Sequence, residues 1–288
     1  MARISELLAS GRTYSFEFFP PKTDQGWLTL GRTIAELEAL APSFVSVTYG
    51  AGGGTRERTH DTVAWVRRET HITPMAHLTC QGHSRDEIAR ILDNYRVAGI
   101  ENILALGGDP PAEAADARPS DYHHAHELVG DVAGHGGFAI GVAAHPELHP
   151  RSTSREDDRR HLAAKLANAD FAITQFFFEA GHYQRLMDEL DALGCRKPVL
   201  PGIMPVTNLG QVTRMAQLSG AQVPTWLVER LSAAGDDPDE VRRIGVAAAT
   251  ELCADLLEMG APGLHFYTLN RSTASREIYT NLNLPVAR

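Results

Sequence analysis

Short hydrophobic runs rich in β-branched and aromatic residues alternate along the chain with longer stretches of helical periodicity. The short runs predict eight strands: Tyr14–Phe19, Phe44–Tyr49, Pro74–Cys80, Asn102–Leu106, Phe138–Ala144, Phe171–Phe177, Val199–Met204 and Gly263–Leu269. The longer stretches carry apolar residues at steps near 3.6 and predict helices over Leu28–Leu40, Arg85–Ala98, Arg155–Ala167, His182–Leu193 and Val241–Met259. Ser84 and Glu87 form a capping-box pattern, which marks the start of the second of these helices.

Alternating strands and helices predict a parallel sheet, because parallel strands need long crossover connections. Eight such units in about 250 residues favour an α/β fold of the (βα)8 TIM-barrel type over an open doubly wound sheet. The segment Gly210–Glu240 is longer than one crossover needs, so we expect an extra helix before the last βα unit. No linker rich in Pro, Gly or Ser divides the chain, and we therefore expect residues 1–288 to form a single domain.

Composition and charge exclude several classes of protein. Hydrophobic residues make up 43% and charged residues 22% of the chain, an ordinary globular balance. The formal net charge of -9 argues against nucleic-acid binding, because an acidic surface repels phosphates. We expect no membrane association and a cytoplasmic location, since no apolar run approaches the roughly 20 residues of a membrane span. The odd number of cysteines, 3, fits reduced thiols.

The first predicted strand carries the most informative polar residue, Glu17. Side chains alternate along a strand, so Ser15, Glu17 and Phe19 share one face while Phe16 and Phe18 share the other. Pro20 follows directly, which places Glu17 near the carboxyl end of the strand, where TIM-barrel active sites form. A carboxylate among apolar groups is costly to ionise, so we expect a raised pKa at Glu17, as a general acid requires. The alternative is a salt-bridged structural glutamate.

Polar residues also stand at corresponding ends of other predicted strands: Thr48, His77, Asp109, Gln175 and Tyr267. Each alone could be structural, and a lone histidine in an apolar strand is more often a satisfied core residue than a ligand. Together they deliver polar groups to one rim of the barrel, which favours an active site. Phe177, in a run of three phenylalanines, is most simply explained by core packing.

Two other motifs are weaker. The loop Gly50–Gly54 follows a strand and precedes a helix, but Thr55 stands where a dinucleotide-binding pattern has its third glycine. A flexible turn that lets a ligand approach the backbone explains it better. His145 and His149 superficially resemble a zinc helix, but Pro146 breaks the order and no third ligand follows, so we expect no metal.

Several ordered segments together resemble the methylenetetrahydrofolate reductase family. They cover nearly the whole chain: Ser15–Lys22 (SFEFFPPK), Val45–Gly50 (VSVTYG), His77–Cys80 (HLTC), Gly108–Pro110 (GDP), His149-Pro150, Ile173–Phe178 (ITQFFF), Pro201–Pro205 (PGIMP) and Leu264–Arg271 (LHFYTLNR). The resemblance implies the catalytic barrel of that family. It also implies reduction of 5,10-methylenetetrahydrofolate to 5-methyltetrahydrofolate, the methyl source for methionine synthesis, and family precedent favours a homo-oligomer.

The resemblance also assigns cofactors and residue roles. It implies bound FAD, with NADH or NADPH as co-substrate passing a hydride through the flavin to the folate. Glu17 matches the general acid that protonates N10, and Asp109 matches the aspartate that stabilises the resulting iminium cation. Substrate contacts are implied for Gln175, Phe177 and Tyr267. Cofactor contacts are implied for Thr48, His77, Gly108, Asp109, His145, His149, Asp158 and Lys165.

Three departures from the family pattern bear on the flavin. Gly107 stands where the family usually has Arg, His145 where many members have an aromatic residue, and the segment 168–170 is one residue short. A lost Arg removes a strong phosphate contact, so we expect weak FAD binding. Two alternatives remain open: the same folate reduction by direct hydride transfer without flavin, and a folate- or flavin-binding protein without turnover.

Overall fold

The strands form one parallel sheet that curves into a barrel. The computed structural model describes residues 2–49, 56–108, 119–235 and 237–286. Their strands are β1 Thr13–Phe18, β2 Phe44–Val47, β3 Thr73–Thr79, β4 Asn102–Leu106, β5 Ala139–Ala144, β6 Phe171–Thr174, β7 Val199–Leu200, β8 Gly202–Ile203 and β9 Gly263–Tyr267. Neighbours run in the order β7-β6-β5-β4-β3-β2-β1-β9-β8.

The two edges of this sheet are consecutive in the chain, which closes the barrel. β7 pairs with β6 and β8 pairs with β9, and only Pro201 separates β7 from β8. The predicted strand Val199–Met204 is therefore split in two, because proline has no N–H to donate to a ladder. The carbonyl of Pro201 still accepts a hydrogen bond from the His265 amide at 3.0 Å. The predicted TIM barrel is confirmed, with its seventh strand shared between two neighbours.

Helices alternate with the strands as predicted. They are α1 Ile4–Ser10, α2 Asp24–Glu38, α3 Arg56–Glu69, α4 Arg85–Val97, α5 Ala125–His135, α6 Arg155–Ala167, α7 Ala180–Ala192, α8 Leu209–Ser219, α9 Thr225–Ala233, α10 Pro238–Glu258 and α11 Thr273–Asn281. The segment expected to hold an extra helix contains α8 and α9. The capping box of α4 is present, with Ser84 and Glu87 bonding each other's backbone amides.

Buried hydrophobic residues pack on both faces of the strands. Phe16 and Phe18 belong to the core between sheet and helices, where Phe16 stacks on Phe266 with 5.6 Å between ring centroids. A second buried cluster contains Ile4, Phe44, Met75, Leu104, Phe171, Ile173 and Leu200. Ile4 belongs to α1, which the sequence did not predict, and its amide donates to Asn102 Oδ1 at 2.8 Å.

Candidate active site

Polar side chains from four neighbouring strands meet around the carboxylate of Glu17. Ser46 Oγ, His77 Nε2 and His265 Nε2 each lie 3.4 Å from Glu17 Oε2. They come from β2, β3 and β9; β2 and β9 flank β1 in the sheet, and β3 lies on the far side of β2. The Glu17 side chain is 12% exposed, and those of His77 and His265 are 6% and 0% exposed. We call these four residues the Glu17 cluster. The structure thus brings together Glu17 and His77, two of the predicted site residues.

His265 is a member of this cluster that the sequence reading missed. Its Nδ1 lies 2.8 Å from Ser15 Oγ, so the ring is held from both sides. Its face stacks on Phe44 with 5.9 Å between ring centroids and 17° between planes. The register pairs Ser15 with His265 and Glu17 with Tyr267. The alternation of side chains along the strand could have identified His265, because it shares a face of β9 with Tyr267, a predicted site residue.

The expectation of a raised pKa at Glu17 is wrong for this cluster. Burial does raise the pKa, but the charge of His77 and hydrogen bonds from His265 and Ser46 outweigh it, and the net direction is downward. Burial also lowers the pKa of His77 to about 4, although Glu17 opposes that effect. The polar partners of Glu17 come from distant parts of the sequence. The apolar residues next to it in β1 therefore do not show how polar its surroundings are in the fold.

The end of β9, which carries Tyr267, contacts the end of β6, which Gln175 directly follows, although β7 and β8 lie between these strands in the barrel. The Tyr267 hydroxyl donates to the Thr174 carbonyl at 2.6 Å, and burial holds the Tyr267 pKa well above its usual value. Gln175 Oε1 accepts from the Phe176 amide at 3.0 Å, which fixes the amide of the side chain. Gly202 makes this packing possible, because a Cβ there would overlap the Thr174 carbonyl oxygen.

A second group of predicted residues surrounds the connection from β5 to α6. The rings of His145 and His149 lie 4.6 Å apart in an edge-to-face arrangement. Lys165 Nζ donates to the Ala143 carbonyl at 3.0 Å, and Asp158 Oδ1 accepts from Ser152 Oγ at 2.8 Å. Burial, reinforced by His149 and Lys165, lowers the pKa of His145 to about 3. Burial also lowers the pKa of Lys165, against the opposing charge of Asp158.

Arg159 holds this loop in place, although no pattern in the sequence distinguishes it from other helical arginines. Its guanidinium donates to the carbonyls of His145 at 3.0 Å and Pro146 at 2.8 Å. It also pairs with Asp158, and its Nε lies 2.6 Å from Glu189 Oε2. Only 3% of the Arg159 side chain is exposed. The buried guanidinium therefore orients His145 through its backbone carbonyl and Asp158 through its carboxylate.

The ends of β2 and β4 complete the rim. Thr48 follows β2, and its amide donates to the Phe18 carbonyl at 2.9 Å. Gly108 adopts φ +82, and a Cβ there would lie 3.0 Å from Thr79 Cβ, so glycine is required. A Cβ on Gly107 would meet nothing within 4 Å, so its surroundings leave room for a side chain. Asp109 and the loop Gly50–Gly54 lie outside the described residues.

Phe177 does not join these groups. It is 1% exposed, belongs to the core between sheet and helices, and stacks on Tyr183 of α7 with 6.3 Å between ring centroids. This placement conflicts with the substrate contact implied by the family resemblance. It agrees with the packing role suggested by the residues alone.

The described residues offer no competing site at a surface cavity, a metal cluster or a membrane span. A cavity of about 850 Å³ lies between α10 and α11, but none of the predicted site residues lines it. Within the described ranges, no group of three or more His, Cys, Asp or Glu side chains could hold a metal ion. No helix in the described part of the chain has the length and apolar character needed to cross a membrane.

Comparison with known sequences gives one consistent family. A family model described as methylenetetrahydrofolate reductase matches residues 3–283. The 5,10-methylenetetrahydrofolate reductase of Pectobacterium carotovorum subsp. carotovorum is 39% identical over 271 residues, covering 94% of this chain and 90% of that protein. The enzyme of the same name from Escherichia coli (strain K12) is 37% identical with the same coverage. Methylenetetrahydrofolate reductase (NADH) 1 of Arabidopsis thaliana is 33% identical, covering 98% of this chain and 50% of that protein.

Comparison with solved structures supports the fold. An uncharacterized protein from Clostridium thermocellum, described as binding two copies of 5-methyl-5,6,7,8-tetrahydrofolic acid, superposes with a TM-score of 0.67. The match covers 96% of this chain and 97% of that one, at 14% identity. A dihydropteroate synthase from Coxiella burnetii gives a TM-score of 0.54 at 10% identity, covering 95% and 92% of the two chains. At these identities the likeness concerns the barrel alone.

Proposed function

Because this chain belongs to the methylenetetrahydrofolate reductase family, we propose that it reduces 5,10-methylenetetrahydrofolate to 5-methyltetrahydrofolate with NADH or NADPH. The reaction adds a hydride to the methylene carbon, breaks the bond from that carbon to N10, and places a proton on N10. The observation that carries the proposal is the Glu17 cluster, which holds a carboxyl group inside the barrel with polar partners on three neighbouring strands.

Glu17 is the proposed donor of the N10 proton. Its partners stabilise the carboxylate, so the surroundings alone do not keep Glu17 protonated at neutral pH. A folate bound against this carboxyl would exclude water from it, which adds to the burial that already raises the pKa. We therefore propose that substrate binding brings Glu17 to its acid form. Proton transfer to N10 then returns it to the carboxylate that His265 and Ser46 stabilise.

Gln175 and Tyr267 are the proposed substrate contacts. The side-chain oxygen of Gln175 is engaged by the Phe176 amide, which orients the Gln175 amide group for the hydrogen-bonding edge of a pterin. The hydroxyl of Tyr267 is bound to Thr174, so its ring rather than its hydroxyl would face a ligand. Asp109 is the proposed anion beside the iminium carbon, in keeping with the chemistry that a cationic intermediate requires.

The proposed cofactor is FAD, held by Thr48, His77, Gly108, Asp109, His145, His149, Asp158 and Lys165. Two observations fit such a ligand. His77 Nε2 is buried and makes no hydrogen bond among the described residues, its contact with Glu17 Oε2 at 3.4 Å being an ion pair only. Gly107 and Gly108 leave their backbone uncovered by side chains. Lys165 supplies a cation close enough to His145 to help lower the pKa of that ring. When bound, FAD would supply hydride transfer between the nicotinamide and the folate.

Replacing Glu17 with Gln tests its role as the acid. We expect Glu17→Gln to fold, since the side chains are nearly isosteric, and to lower folate reduction by roughly two to four orders of magnitude. Oxidation of NADH by an artificial acceptor should persist, because that half-reaction places no proton on N10. The measurement is steady-state kinetics of both reactions in the two proteins. Wild-type folate turnover in Glu17→Gln would exclude the assigned role.

Retention of the flavin has its own test. Because Gly107 provides no guanidinium, we expect FAD to bind but to dissociate partly during purification; a lost charge-assisted contact corresponds to roughly a ten- to hundredfold weaker affinity. The absorption spectrum of the protein is recorded after adding FAD and removing the excess by gel filtration. Gly107→Arg, for which the structure leaves room, should retain more flavin. Undiminished folate reduction without any retained flavin would instead indicate direct hydride transfer.

A further inference from the structure

His265 contacts polar groups through both ring nitrogens while it is fully buried. Nδ1 lies 2.8 Å from Ser15 Oγ, and Nε2 lies 3.4 Å from Glu17 Oε2. Nε2 also lies 3.5 Å from Ser46 Oγ. None of the roles assigned above to substrate or cofactor contacts uses His265 or Ser15, yet the barrel interior places both next to the proposed acid.

The Glu17 carboxylate indicates which ring nitrogen of His265 carries the hydrogen. An ionised carboxylate only accepts hydrogen bonds, so Nε2, which faces it at 3.4 Å, is the donor. In an imidazole that donates at one nitrogen the other accepts, and Nδ1 then receives the hydroxyl hydrogen of Ser15 at 2.8 Å. The contact from Ser15 Oγ to the Leu264 carbonyl is longer, at 3.4 Å, and the hydroxyl gives it up in this arrangement.

We propose that His265 is a positioning residue for Glu17: Ser15 fixes its ring through Nδ1, and Nε2–H stabilises the carboxylate that remains after proton transfer. This inference rests on the proposed function for its effect on turnover, but the hydrogen-bond arrangement itself does not. No atom of Ser15 or His265 has to contact the folate, and the two residues act through Glu17.

Other groups around Glu17 also influence its proton. His77 approaches the same oxygen from β3, and Tyr267 lies on β9 with a pKa raised by burial and by the Glu17 charge. Ser46 of β2 donates without titrating. Because His77, Tyr267 and Ser46 remain in place, loss of the Ser15 contact should shift the behaviour of Glu17 without abolishing it.

Thr13 provides a matched control for Ser15. It lies on the same face of β1, is 1% exposed against 0% for Ser15, and its buried Oγ1 has no hydrogen-bond partner in the described structure. Ser15→Ala removes the contact to Nδ1, while Thr13→Val removes a buried hydroxyl that holds nothing. Ser15→Thr keeps the hydroxyl and serves as the conservative variant.

The first experiment needs no turnover. In protein labelled with 15N-histidine, with His265 assigned from the spectrum of His265→Asn, we expect hydrogen on Nε2 and a lone pair on Nδ1. Ser15→Ala should change the His265 signals and Thr13→Val should not. Hydrogen on Nδ1 but not on Nε2 in the wild-type protein, or unchanged signals in Ser15→Ala, would overturn the proposal. Because no activity is measured, failure of the proposed function does not affect this result.

The second experiment measures the consequence for the acid. Folate reduction depends on protonated Glu17, so its rate falls as pH rises past the pKa of that group. Losing a donor to the carboxylate raises this pKa, and we expect the alkaline limb of the pH–rate profile to move upward by about one pH unit in Ser15→Ala. Ser15→Thr and Thr13→Val should keep the wild-type profile, and NADH oxidation by an artificial acceptor should not shift. An equal shift in Thr13→Val, or none in Ser15→Ala, contradicts the assignment.

Discussion

Removing the guanidinium of Arg159 should destabilise the loop that carries His145. In Arg159→Met the carbonyls of His145 and Pro146 and the carboxylate of Asp158 lose a donor, with only 3% of the arginine side chain exposed. Breaking a buried charge pair from one side typically costs about 3–5 kcal/mol. At about 2 °C per kcal/mol for a chain of this size, the thermal midpoint should fall by roughly 6–10 °C.

The neighbouring residue supplies the control. Arg160 is on the same helix, pairs with Glu156, and its side chain is 60% exposed. Exposed pairs contribute about 0–1 kcal/mol, so Arg160→Met should unfold close to the wild-type midpoint. Urea unfolding followed by circular dichroism measures the free energy of unfolding of both variants. If Arg159→Met costs no more than Arg160→Met, the loop is not held by the buried guanidinium and its assigned role is wrong.

Two further predictions concern packing and pH. Gly202→Ala should lower the free energy of unfolding by about 1–3 kcal/mol, because the added Cβ meets the Thr174 carbonyl. Gly181→Ala is the control, since a Cβ there has nothing within 4 Å, and it should not lower the free energy of unfolding in the same urea titration. His145 has a folded pKa of about 3 against an ordinary 6.5, so below pH 6.5 the unfolded chain binds a proton that the folded protein does not. The free energy of unfolding should therefore fall from pH 7 to pH 5. His145→Phe should reduce that fall by about 1–2 kcal/mol, whereas replacing the exposed His71 with Gln should not. An equal fall in the wild-type protein and His145→Phe would contradict the lowered pKa of His145.

The local patterns in the sequence predict much of this barrel. Helix α6 has the predicted bounds, and the alternation along β1 puts Ser15 and Glu17 on the face opposite Phe16 and Phe18, as expected. The split at Pro201 follows from the missing N–H of proline, which the sequence shows directly. Helix α1 has a single buried residue, Ile4, too little for a periodic pattern.

The electrostatics of the site depend on contacts that the sequence does not reveal. Glu17 and His265 are 248 positions apart, and strand pairing alone brings them together. The apolar residues next to Glu17 in the strand predict a raised pKa for its carboxyl group. The partners on β2, β3 and β9 lower that pKa instead. Arg159 was missed for the same reason, since its role is to bond carbonyls of a loop that folds back on its own helix.

The proposed reduction of a one-carbon folate by this barrel can be tested on the purified protein. The most direct measurement is anaerobic incubation of the purified protein with FAD, NADH and 5,10-methylenetetrahydrofolate, with NADH oxidised and 5-methyltetrahydrofolate formed both quantified over time. We expect one product molecule for each NADH oxidised, at a rate that Glu17→Gln lowers by roughly two to four orders of magnitude. NADH oxidation without methyl product, or product formed equally by both proteins, would contradict it.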